Sequence, residues 1–466
     1  MLRDARLFRT LLLVTLCPAA LAQGQSEWKV KPEWVRAHEM FLASDALRGR
    51  GSATSDELLA ATYVASQLER FGVRPGLPDG SYIQRVELVE SVLQGKAAIG
   101  AATTKFTALE EGKDFTLART NGESVSGPLN KVAAENALTT QVQPGAMVLL
   151  SGDLGQQWRS VMRRLALAGA NAVLRVESAG PQSAANRRPA IPPRLPGRET
   201  VMGGSLSRIS LTQAAYTRLS RLPSGTNLTI QIPAKDAPRY SYNAVGVLPG
   251  KDAEAGKVIL LSAHLDHLGV GQPVNGDSIY NGANDDASGT TAVIELAHAL
   301  ASGQTPQRTI YFVCYGSEEL GGLGSTYFRE HSPIPLDRIA ANLEFEMIGN
   351  QDPRMPKGRM LLTGWDRSNL GPTLVEHGAL LGDDPYPEQH FFERSDNYPL
   401  ALKGVVAHTA GGWGTPPTYH KPNDDIEHLD FDFLTQAIQS LIEPIRWLAN
   451  SDFVPQWLPG KQPLGR

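Results

Sequence analysis

Residues 257–269 read KVILLSAHLDHLG. A near-continuous apolar run stops at His264, with Asp266 and His267 just beyond it. A run of this kind reads as a strand buried on both faces, as in parallel sheets covered by helices. The pattern recurs downstream in RTIYFVCY (308–315), RIAANLEFEM (338–347) and GVVAHTA (404–410). Segments of helical spacing separate or follow these runs: about 287–301, GGLGSTYFREHS (321–332), LGPTLVEHGALLG (370–382) and the amphipathic FDFLTQAIQSLIEPIRWLA (431–449). Strand and helix in alternation predict an α/β fold, with a mainly parallel central sheet and helices on both faces.

Outward from this core the chain changes character. SDELLAATYVASQLERFGV (55–73) has helical spacing, with Ser55 as a plausible cap, and follows the glycine-rich LRGRGSATS. Between 118 and 238, PGAMVLLSGD, QQWRSVMRRLALAGA closed by Gly169, and NAVLRV read as strand, helix and strand. No charge constellation there suggests chemistry, so the segment reads as a small inserted β-rich domain. The stretch SAGPQSAANRRPAIPPRLPGRET is a long loop. The expected boundaries are 1–22 for an export signal, 23–117 for the first part of the main domain, 118–238 for the insert, 239–451 for the rest of the main domain, and 452–466 for a frayed, proline-containing tail.

The signal rests on Arg3, Arg6 and Arg9 ahead of LLLVTLCPAALA, with Ala20-Leu21-Ala22 as a small-x-small cleavage site. The expected location is periplasmic or secreted. The run is too short to be retained as a span, and no later segment reaches ~18 apolar residues. A lipid anchor at Cys17 is disfavoured by the large Leu16 before it. Removing Cys17 leaves Cys314 as the lone thiol, unable to form an intrachain disulfide. With 466 residues, 41% hydrophobic and 20% charged, the composition is ordinary for a globular protein, and a net charge of -4 without basic runs excludes nucleic acid as a partner.

Chemistry is concentrated just past the strands. After the first come His264 and Asp266; in YNGANDDASGT (280–290) Asp285 and Asp286; in CYGSEELGG Glu318 and Glu319; in LEFEMIG Glu344 and Glu346; in PPTYHKPND His420. Open α/β sheets bind ligands at the carboxyl ends of their strands. Histidines and carboxylates without cysteine suit zinc, with manganese or cobalt as alternatives. Alternation turns His264 and Asp266 the same way, so one can ligate while the other orients an imidazole. Of the adjacent Glu318 and Glu319, one can bind metal while the other handles a proton. For the paired aspartates the plain alternative is a helix cap, through Asp286 or Ser288.

In order, AHLDHLG, GDSIYNGANDDASGT, YGSEELGGLGS, NLEFEMIG, RSDNYPLALKG and YHKPNDDIEHLD resemble the motifs of the co-catalytic di-zinc exopeptidases, which include secreted bacterial leucyl aminopeptidases, glutamate carboxypeptidase II and transferrin receptor. The resemblance is strong over 243–450 and looser over 33–75. It implies that the insert is a protease-associated domain. It also implies two Zn2+ ions held by His264, Asp285, Glu319, Glu346 and His420, with Asp285 bridging both and a cis peptide following it. Asp266 would orient His264, and Glu318 would act as general base on a water shared by the ions. Glu346 stands where many relatives have aspartate. Asn397 replaces the histidine of the family's SDH, a position without a ligand role. An intermediate-stabilising tyrosine of some relatives falls near Phe391–Phe392, and Tyr419 could stand in for it. His267 has no ligand role in the family and reads as supporting or structural.

The implied reaction is hydrolysis of the N-terminal bond of a peptide substrate, an aminopeptidase activity. A carboxypeptidase or dipeptidase would need a cationic anchor, for which Arg394, Arg48, Arg50 or the insert are candidates. A glutaminyl cyclase, with one zinc and no insert, fits less well. A receptor-like ectodomain without catalysis is disfavoured by the intact ligand set and Glu318.

Overall fold

The computed structural model describes residues 28–463 apart from 104–105, 121, 177–190, 198–205 and 253–255. The expected signal, Cys17 and most of the proline-rich loop at 178–200 lie outside the described residues. Helices α1 (Pro32–Leu42) and α2 (Ser55–Arg70) come first. Thr54, not Ser55, caps α2, its hydroxyl accepting from the amides of Asp56 and Glu57.

Among the described residues the larger sheet has nine strands. Its principal members are β1 (Ile83–Leu93), β2 (Ala234–Leu248), β3 (Val258–His264), β4 (Thr309–Tyr315), β5 (Ile339–Glu346), β6 (Met360–Leu362), β7 (Leu381–Asp383) and β8 (Ala407–Gly411). The central order is β2-β4-β3-β5-β8-β6-β7. Pairing is parallel from β4 through β3 and β5 to β8, and antiparallel where β2 and β6 join. Strand β7 lies within a segment that the sequence spacing extends as helix, which stops at Glu376. Gly378, at φ 104°, turns the chain there.

Strand alternation explains how the sheet is covered on both sides. Ile259, Leu261, Ala263, Ile310, Phe312 and Cys314 share one core with α1, α2, α3 (Ser288–Ala301) and α5 (Phe431–Asn450). Val258, Leu260, Val313 and Tyr315 face the other core, with Phe328 from α4 (Leu323–Glu330) and Leu400. Both faces are therefore apolar, which gives the unbroken hydrophobic runs. Cys314 is buried in the first core, and that burial pushes its thiol well above the usual range.

Among the described residues a second sheet has eight strands, from Ala98–Ala101 to Asn227–Gln231, and its own apolar cores. It contains the strand–helix–strand unit read from the sequence, as Met147–Ser151, Trp158–Leu167 and Ala172–Val176, with the strands parallel. It also takes in Ala98–Ala101, Leu109–Glu110 and Phe115–Arg119, ahead of the expected boundary at 118. The antiparallel ribbon of β1 and β2, paired from Ile83↔Ala244 to Leu93↔Ala234, joins the two sheets.

The expectation of a frayed tail is corrected. Trp457 bridges to Ser368, donates its indole N–H to the Gly404 carbonyl (3.0 Å) and packs beside Phe392 and His408. The Phe453 carbonyl accepts from Arg308 (2.7 Å). The prolines prevent a helix here, but large aromatic surface fixes the segment instead.

Candidate metal centre

The parallel strands bring their carboxyl ends to one edge of the sheet. His264 ends β3, Glu346 ends β5, Glu318 and Glu319 lie just past β4, and His420 lies in the loop after β8. Asp285 sits in the turn before α3, and the Asp285–Asp286 peptide bond is cis. Two groups of side chains converge there with Asp285 common to both. His264, Asp285 and Glu346 form one; His267, Asp285 and Glu319 form the other, each with ligand atoms mutually within 4.8 Å. His264 Nε2 is 3.3 Å from Asp285 Oδ1. His420 Nε2 is 3.1 Å from both Asp285 Oδ2 and Glu319 Oε1. His267 Nδ1 is 3.1 Å from Glu319 Oε1 and 3.9 Å from Asp285 Oδ2.

These residues fit a pair of cations. His264, His267, Asp285 and Glu319 are buried, while Glu318 and Glu346 are half-buried. Neither ring nitrogen of His264 or of His267 makes a hydrogen bond, although carboxylate oxygens lie close by. Orphaned imidazole nitrogens in a buried acidic cluster are costly unless a cation completes them. Burial pushes the Glu318 carboxyl well above the usual range, and Glu319, Asp396 and Glu346 add to the rise. Burial also raises Glu346. For His420 burial acts downward, yet Glu319 and Asp285 hold the imidazole up at about 10. Two cations would relieve this crowding of acids.

The paired aspartates divide two jobs. Asp285 faces the cluster; Asp286 Oδ1 accepts from the amides of Gly289 (2.9 Å), in the first turn of α3, and Met347 (3.0 Å). The capping alternative thus describes Asp286. Asp266 Oδ1 lies 3.7 Å from His264 Nδ1, too far for a hydrogen bond. Its carboxylate instead accepts from the amides of Glu318 (2.9 Å) and Glu319 (3.3 Å) and from the Ser52 hydroxyl (2.5 Å).

Two acids escaped the sequence reading. Asp424 accepts from the amides of Asn284 and Asp285, both at 3.1 Å, and so holds the shared carboxylate in place. Its position four residues after His420, inside a quoted motif, was the available signal. Glu57 accepts from the Ser317 amide (2.7 Å) and hydroxyl (3.1 Å), which fixes the turn carrying Glu318. Helical spacing in α2 gave no hint of that. Burial pushes Glu57 up to about 8.

Glu344 is buried and accepts from Ser395 (3.0 Å) and Thr409 (3.3 Å) hydroxyls. Asn397 is buried, donating to the carbonyls of Phe392 (3.3 Å) and Ala407 (3.4 Å). Phe391 and Phe392 are buried as well, and Tyr419 stacks on His420 at 3.8 Å. Arg50 is fully buried and donates to the carbonyls of Leu42, Leu265, Asn281 and Gly282. It braces the loops and cannot anchor a substrate.

Such a cluster at the strand ends of a parallel α/β sheet is a candidate metal centre, set in a fold of the zinc-exopeptidase kind. Residues 243–443 match the model of Peptidase family M28. The chain is 28% identical over 220 residues to Aminopeptidase YwaD of Bacillus subtilis, covering 42% of each protein. To Leupeptin-inactivating enzyme 1 of Streptomyces exfoliatus it is 34% identical over 166 residues, 35% of this chain and 34% of that one. These alignments span less than half of either relative. An aminopeptidase from Aneurinibacillus sp. strain AM-1 has the same fold at a TM-score of 0.56 and 17% identity, over 91% of this chain and 96% of its own. A zinc aminopeptidase from Bacillus subtilis aligns at 0.55 and 18%, over 93% and 98%.

Proposed function

We propose that the protein is an exported aminopeptidase that hydrolyses the N-terminal bond of peptides at a two-zinc centre. The observation that carries this reading is the convergence of two ligand groups on Asp285 at the sheet edge. His264 and Glu346 would hold one ion, Glu319 and His420 the other, and Asp285 both. Bound there, the ions would lower the pKa of a shared water and offset negative charge on the attacked carbonyl. Glu318, half-buried beside the ligands, accepts the water's proton and returns it to the departing amine. Asp266 keeps that base and its neighbour in register through their amides.

The choice of the amine end rests on charge. The ligand-bearing stretches at 264–267, 285–286, 317–319 and 344–346 contain no lysine or arginine; Lys421, beside His420, is exposed and donates to the Pro417 carbonyl, and Arg50 is committed to backbone carbonyls. A free α-amine suits these acidic surroundings. A carboxypeptidase or dipeptidase reading has one observation in its favour: Arg394 lies over Phe391 at 5.0 Å, with one guanidinium nitrogen buried and unbonded. Blocked tripeptides separate the two. Acetylating the N-terminus should reduce hydrolysis by orders of magnitude while C-terminal amidation changes little. Efficient cleavage of the acetylated peptide would overturn the aminopeptidase assignment.

A further inference from the structure

We propose that His267 is a fourth protein ligand of the second cation, making the two metal positions unequal. The inference rests on the two-metal reading and adds to it a residue for which the family resemblance gives no ligand role. His267 has no exposed surface, and neither of its ring nitrogens makes a hydrogen bond. Its Nδ1 and His420 Nε2 each lie 3.1 Å from the same Glu319 oxygen. Two ligands about 2.0–2.1 Å from one zinc at a tetrahedral angle lie about 3.3 Å apart, so this spacing suits a shared ion. The two rings meet edge to face, 5.6 Å between centroids, as separate imidazoles directed at common acids.

The ring is positioned by the fold. The His267 amide donates to the Arg50 carbonyl (3.1 Å), and its own carbonyl accepts from the Ser52 amide (3.2 Å). On its other side lies Gly282, at φ 61°, where an added Cβ would come within 2.5 Å of the ring. Only glycine leaves room for the imidazole beside the turn that carries Asp285. A merely space-filling residue would not leave both ring nitrogens without a hydrogen bond in a polar pocket.

The consequence is a division of labour. His267, Asp285, Glu319 and His420 supply four side chains to the second position, which suits a closed, tightly held ion. His264, Asp285 and Glu346 supply three to the first, which keeps coordination room for water and substrate. The second position therefore fills first and empties last.

The test uses full-length metal-free protein and Zn2+ alone. X-ray absorption at one equivalent of zinc should count two imidazoles per ion, and a count of one would overturn the inference without any variant. Titration should resolve two ions differing at least about 10-fold in affinity. His267→Asn should weaken the tighter class at least about 10-fold and leave the weaker one within about 2-fold. Two ions with unchanged affinities in both His267→Asn and His267→Ala would sink the role of His267 alone. Fewer than two ions in the unaltered protein would remove the two-metal reading and this inference with it.

Discussion

Glu318 is set apart from the other acids of the centre by how it is held. Its amide and that of Glu319 are tied to Asp266, and the turn before it is fixed by Glu57 on Ser317. The side chain itself stays half-buried. Glu318→Gln should retain both ions and the fold while lowering kcat by at least about 10²-fold, because only the proton acceptor is lost. Loss of an ion in that variant would make Glu318 a ligand instead. A second prediction concerns His408, buried and bonded to Ser368 (2.7 Å) and the Thr363 carbonyl (2.8 Å). Burial lowers its pKa from 6.5 to about 4, so the folded protein keeps it neutral. Below pH 6.5 the unfolded chain takes up the proton first, and stability falls as pH drops toward 4. The contribution lost is about 3 kcal/mol at most. Unfolding midpoints of His408→Gln should flatten over that window relative to the unaltered protein; parallel curves would contradict it. At this scale the motif residues were legible because spacing and residue type carry their chemistry. Asp424, Glu57 and the approach of His267 to Glu319 were not, because they depend on contacts between segments far apart in sequence.

Elements with strong periodicity were readable, and their ends were less so. Strands β3, β4 and β5 stand where their apolar runs lie, since burial on both faces leaves no other environment for them. The cap of α2 moved by one residue, and a strand replaced the end of an expected helix at Leu381–Asp383, because turn geometry outweighs local propensity. The tail misled most. Three prolines suggested fraying, whereas Trp457 finds a seat among Phe392, His408 and the Gly404 carbonyl. Trp457→Ala should therefore cost about 2 kcal/mol, less than a fully buried tryptophan, read as a lower denaturant midpoint of the main domain. An unchanged midpoint would mean that the tail contributes no stability.

At the scale of the whole molecule, the second sheet hangs from the main one by the β1–β2 ribbon. Among the described residues, none of the side chains clustered at the metal centre comes from 94–233. We expect this part to govern access. Because Leu93 pairs with Ala234, a short turn can replace residues 94–233 without altering the ribbon's register. The shortened protein should keep both ions and shift its preference between long and short peptides; loss of both ions from a folded product would contradict that. The strand–helix–strand unit of the second sheet was legible from its own pattern. The short strands that join this sheet between Ala98 and Arg119 carry little apolar signal and were not read. The central claim remains that Asp285 is shared by two cations. Counting bound zinc per chain in the unaltered protein, Glu318→Gln and Asp285→Ala should give two, two and fewer than two. Two ions per chain together with normal turnover in Asp285→Ala would contradict the account.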